Sequence, residues 1–64
     1  MIFRVEFDRE EDGRWIAEIP ELPGALAYGS TQEEAKANAE AIALRIVADS
    51  IEQSKKAIPA VTFA

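Results

Sequence analysis

From Thr31 to Ser54 the sequence TQEEAKANAEAIALRIVADSIEQS contains neither proline nor glycine. Ala35, Ala39, Ile42, Ala43, Ile46, Val47 and Ile51 recur there at steps of three and four, which lines one face of an α-helix with apolar side chains. Thr31 with Glu34, or Ser30 with Glu33, supplies a capping box, and the acidic first turn suits the positive end of the helix dipole. The pattern predicts one helix from about residue 31 to about residue 54, with Lys55 and Lys56 beside its C-terminal end. In a chain of 64 residues this leaves room for no second long helix, so a single helix must cover whatever sheet the rest forms. A chain this short buries only about 60% of the surface its unfolded form exposes, which permits one core and one domain, residues 1–64.

The flanking segments read as strands. Phe3, Val5 and Phe7 alternate with Arg4, Glu6 and Asp8, the period of a strand with one buried and one wet face, over residues 2 to 8. Asp12-Gly13 is suited to a tight hairpin turn, and a second strand follows over residues 14 to 19, with Trp15, Ala17 and Ile19 sharing a face. Pro20 and Pro23 lack backbone donors and Gly24 tolerates torsions that other residues avoid, so the ladder must break at PELPG. ALAYG resumes an extended pattern, and AVTF after Pro59 makes a short last strand. The order is β-β-β-α-β, an α+β fold with one helix on a mainly antiparallel sheet. A crossover through the helix gives the spatial order 3-2-1-4. The expected core is Phe3, Val5, Phe7, Trp15, Ala17, Ile19, Ile42 and Ile46.

Composition excludes several functions. With no cysteine and no histidine, the chain has no disulfide, no thiolate chemistry and none of the usual borderline metal ligands. Seven basic against twelve acidic side chains argue against nucleic-acid binding by the isolated chain, because phosphate contacts need Lys and Arg. Glu6, Asp8, Glu10, Glu11, Asp12, Glu18 and Glu21 gather in the first third, where a basic partner surface would be attracted. No apolar run has the roughly 20 residues of a membrane span and no leader pattern opens the chain, so no membrane association and a cytoplasmic location are expected. No glycine-rich phosphate loop or nucleophile-base set is present, and no cofactor, metal site or enzymatic activity is expected.

Read together, EEDGRWIAEIPELPGALAYGSTQEEAKANAEAIA strongly resembles the HicB family of antitoxins, in particular their small N-terminal domain, from Phe3 to Phe63. The most specific parts are Pro20-Glu21-Leu22-Pro23-Gly24 and Thr31-Gln32-Glu33-Glu34-Ala35 with Asn38-Ala39. The resemblance implies a partial RNase H-like fold. It also implies that the protein binds and neutralises a HicA-type toxin, a small basic ribonuclease that cleaves mRNA. Two departures stand out: Ala25 follows Gly24 where the family usually has cysteine, and the chain ends before any C-terminal DNA-binding module, so direct DNA binding is not expected. The nuclease chemistry of the RNase H superfold needs carboxylates converging on two metal ions, and the last strand carries no acid.

The expected partner-binding residues are Glu10, Glu11, Asp12, Trp15, Glu18, Glu21 and Pro23, and the expected structural residues are Pro20, Gly24, Thr31, Glu34 and Asn38. Trp15 has two readings, an interface anchor or a core side chain. So does Asn38, which either bonds the backbone of the proline-rich corner or is solvated. One helix covers one sheet face only, leaving Ile2, Ile16 and the last strand's edge, so a homodimer or homotetramer is expected. The alternative function is a solitary HicB-like oligomer with a structural or small-ligand role and no toxin.

Overall fold

The computed structural model describes residues 1–64 and contains β1 (Ile2–Phe3), β2 (Glu6–Arg9), β3 (Trp15–Glu18), β4 (Leu26–Gly29), α1 (Gln32–Ser54) and β5 (Thr62–Phe63). β2, β3 and β4 form an antiparallel meander, and β1 pairs in parallel with β5. Since β1 runs on into β2, the order 3-2-1-4 holds, with the expected first strand divided in two.

That division corrects the continuous strand over residues 2 to 8, and its cause lies in the PELPG corner. Glu10 N–H donates to the Arg14 carbonyl at 2.8 Å, so the antiparallel alternation makes Asp8 with Ile16, and Glu6 with Glu18, the other hydrogen-bonded pairs. The next such pair would be Arg4 with Pro20, which has no N–H. Arg4 N–H turns instead to the Glu21 carboxylate at 3.4 Å, and Val5 N–H leaves for the carbonyl of Ala64 at 2.8 Å. β3 and β5 therefore bond opposite edges of this segment, β3 through Glu6 and Asp8 beyond the break and β5 through Phe3 and Val5 before it. Phe3 and Phe63, with ring centroids 6.0 Å apart, tie β1 to β5.

The corner consists of two turns in tandem. Leu22 N–H donates to Ile19 O at 3.0 Å and Ala25 N–H to Leu22 O at 2.9 Å, which sets Pro20 and Pro23 each at the second position of a turn. Gly24 follows Pro23 with φ +92°, the torsion that a type II turn demands of its third residue. At the other end of β3, Gly13 has φ +91° and closes the hairpin with a bond to Glu10 O at 2.9 Å.

Helix α1 starts where the capping pattern placed it. Thr31 is the N-cap: its Oγ1 accepts from Glu34 N–H at 3.0 Å, the forward half of the Thr31–Glu34 box, while Glu34 Oε1 reaches one residue further back and accepts from Ser30 N–H at 2.9 Å. Lys55 ends the helix in the left-handed region with φ 58°.

The helix packs on β4 and β3 and leaves β2 largely outside its footprint. Its buried side chains are Ala35, Ala39, Ala43 and Val47, which close on Ala17, Ile19, Ala25 and Phe3. Val5, Trp15, Ile42 and Ile46, expected in the core, are half-buried and flank this seam. Phe7 is a correction: it shares the face of its cross-strand partner Ala17 but stays 39% exposed, because the helix does not reach it.

Small residues make the close seat possible. A Cβ on buried Gly29 would lie 2.9 Å from Ala35 Cα, against backbone that cannot yield. Gly29→Ala is therefore expected to cost about 3 kcal/mol, the upper range for overpacking, read as a lowered midpoint in urea denaturation with circular dichroism. An unchanged midpoint would contradict this seat for α1.

Candidate functional site: an acidic hairpin and its edge

The β2–β3 hairpin carries four of the eight carboxylates that have no cation within ion-pair distance. Register sets Glu6 opposite Glu18 and Asp8 opposite Ile16, all on the sheet face away from the helix. Like charges directly opposite across a ladder are destabilising, so Glu6 with Glu18 is a local cost carried by the fold. Arg4 lies 3.5 Å from Glu6 and offsets part of it. No cation comes within ion-pair distance of Asp8, Glu10, Glu11 or Glu18.

Two of the expected contact acids have internal work instead. Asp12 accepts from Arg14 N–H at 3.0 Å and from Arg14 Nε at 2.8 Å, which holds its carboxyl below the usual range, first through the backbone bond. Glu21 accepts from Arg4 Nε at 3.2 Å, and its carboxyl is also lowered, first by a bond from its own backbone N–H and further by Arg4. Glu10, Glu11 and Glu18 remain without cationic partners. The hairpin therefore divides its acid between a turn clasp at Asp12, a corner clasp at Glu21, and a free set.

Trp15 is half-buried at the margin of the core. One side packs against the core, while Arg9 stacks over the ring with its guanidinium carbon 5.0 Å from the centroid. On the outer face Arg14 stacks on Tyr28 at 4.5 Å, beside the exposed Leu26. Pro23 is exposed at the corner. Asn38 does not bond the corner: its Nδ2 donates to the carbonyl of Tyr28 in β4 at 3.0 Å. Thr31 and Glu34 cap α1, and Pro20 and Gly24 shape the turns, as described above.

Glu6 and Asp8 belong to the same surface although the sequence pattern did not select them as contacts. Their charge was visible, but only the register with β3 brings them beside Glu18. No three carboxylates converge as metal ligands would. The one cavity lies elsewhere, a groove of about 280 Å³ between the C-terminal half of α1, β1 and the corner, with Met1, Phe3, Leu22, Ile46, Ile51 and Ile58 in its walls. No helix is long and apolar enough to cross a membrane.

The fold and surface together define a small α+β domain with an acidic strand pair. A UPF0150 protein of Thermoplasma acidophilum is 32% identical over 59 residues, covering 92% of this chain and 84% of the relative. A second UPF0150 protein, from a Synechocystis species, is 41% identical over 49 residues, covering 77% of this chain and 68% of the relative. The chain belongs to the UPF0150 family. No family model matches it. No solved structure matches it either.

The Glu21 clasp gives a pH test with a definite sign. Its folded value is depressed, so the stability it contributes is present above the ordinary value of 4.5 and is lost as pH falls through the lower folded value. Glu21→Gln should lower the melting temperature at pH 7, and the gap from wild type should close in acid. A gap that is the same at pH 7 and pH 3 would show that the charge is not what matters.

Proposed function

We propose that this protein is a HicB-like antitoxin, a non-catalytic cytoplasmic protein that binds a small basic ribonuclease of the HicA type and covers its RNA-binding surface. The observation that carries this reading is the set of carboxylates without cationic partners, Asp8, Glu10, Glu11 and Glu18, on one hairpin. A surface that attracts phosphates is basic, and an acidic strand pair is its electrostatic complement. The ordered motifs at Pro20 to Gly24 and Thr31 to Ala39 support the same family of antitoxins. Occlusion needs no chemistry from the antitoxin, which accords with a chain that has no histidine and no cysteine.

Self-association belongs to the same reading, as a homodimer or homotetramer. Ile2, Leu26 and Tyr28 are all exposed on the protein, at 71%, 44% and 43%. A second copy covering such side chains would remove them from water. Sedimentation at micromolar concentration is expected to give a multiple of 7.0 kDa, and a clean monomer would contradict it.

The apolar groove favours one other reading, a solitary oligomer with a small-ligand role. The neighbouring reading frame separates the two, since an antitoxin is accompanied by a small basic ribonuclease.

The direct test is association with that neighbouring protein. Wild type is expected to bind it and to block RNA cleavage. Replacing Glu10, Glu11 and Glu18 together by Gln, with Asp12 left to hold its turn, should slow association about tenfold at low salt and flatten the salt dependence. An unchanged association rate and salt slope would remove the acidic hairpin from the contact, and no binding at all by wild type would overturn the reading.

A further inference from the structure

The two edges of the antiparallel meander are finished differently. On β4 the outward Leu26 N–H donates to Gly24 O at 3.0 Å, and Asn38 Nδ2 donates to the outward Tyr28 carbonyl at 3.0 Å. Helix and turn thereby occupy that edge. On β2, Glu6 and Asp8 bond to β3, so Phe7 and Arg9 direct their N–H and C=O groups away from the sheet. β5 pairs with Ile2 and Phe3 and bonds the segment as far as Val5, and it makes no bond to Phe7 or Arg9. Arg9 N–H has a local acceptor in Asp8 Oδ1 at 2.8 Å. Phe7 has none, and all four residues of β2 are exposed.

We propose that the β2 edge accepts an extended segment of a partner protein as an added antiparallel strand, with Lys or Arg flanking an apolar residue. A guest residue paired with Phe7 would exchange two backbone hydrogen bonds with it and lay an apolar side chain against the exposed ring. The guest's neighbours on either side then stand opposite Glu6 and Asp8 on the outer face, where cations relieve the crowding of Glu6 with Glu18. Charge selects this occupant over a second copy. A two-fold register centred on Phe7 sets Glu6 opposite Asp8 of the second copy, one centred on Asp8 sets Asp8 opposite itself, and one centred on Arg9 sets Asp8 opposite Glu10. Every one of these apposes carboxylates. Backbone pairing supplies the contact, and the alternating charge supplies the choice of partner.

The proposal rests on the protein-binding reading above only in taking a protein segment as guest, and its test involves no toxin, so the two can fail separately. The probe is acetyl-Lys-Val-Lys-Val-Lys-amide, followed by residue-resolved amide hydrogen exchange on the full chain. Saturating peptide is expected to slow exchange at Phe7 at least about tenfold, while a peptide of the same composition with its lysines contiguous does not. Phe7→Pro removes the outward donor at an edge position and leaves the net charge unchanged. It should weaken binding about tenfold, and more than Phe7→Ala, which keeps the N–H. Equal protection by the contiguous peptide, or undiminished binding by Phe7→Pro, would reduce the contact to charge alone and overturn the proposal. Protection of Phe7 that rises with protein concentration in the absence of peptide would overturn it in favour of a second copy. The wild-type exchange result decides the matter if Phe7→Pro does not fold.

Discussion

Everything distinctive about this protein follows from how closely α1 lies on β4. Gly29 has no side chain where Ala35 crosses it, and Ala35, Ala39 and Ala43 present only methyl groups to the sheet, so the helix sits low over β4 and β3. A low seat gains dispersion contacts for every atom in the seam without requiring large side chains. It also fixes where the helix cannot be. A single helix held that close to one side of the sheet leaves the other side uncovered, and β2 is the strand left out.

The uncovered strand is kept soluble by charge. Glu6, Asp8 and Arg9 flank Phe7, a common means of blunting an edge that would otherwise pair indiscriminately. By the strand-addition proposal, the carboxylates that protect against self-pairing also select a basic guest strand. At the other end of the strand the PELPG corner ends the β2–β3 ladder, and Glu21 holds Arg4 where Pro20 cannot. The corner is therefore a structural device first. β1 meets β5 on the opposite edge, so one continuous segment serves two partners in succession.

Much of this was legible in the residues. Thr31 and Glu34 placed the start of α1, and the two prolines with Gly24 placed the corner, because capping and turn chemistry are local. The break in the first strand was not legible, since Phe3, Val5 and Phe7 alternate without interruption and the missing donor belongs to Pro20, in the turn beyond β3. Phe7 read as core for the same reason: alternation gives the face of a strand, but not whether the helix reaches it. Ile42 and Ile46 drew attention by size, whereas the alanines between them make the seam. Of the site, the acid count was plain, but which carboxylates stand free depended on Arg14 finding Asp12 and Arg4 finding Glu21.

The offset seat of the helix is the claim on which the open edge depends, and nuclear Overhauser contacts measure it directly. The account predicts cross-peaks linking the methyl groups of Ala35 and Ala39 to residues of β3 and β4, with none between the Phe7 ring and the side chains of Ile42 or Ile46. Strong contacts from the Phe7 ring to those isoleucines would place the helix over β2 and contradict the account.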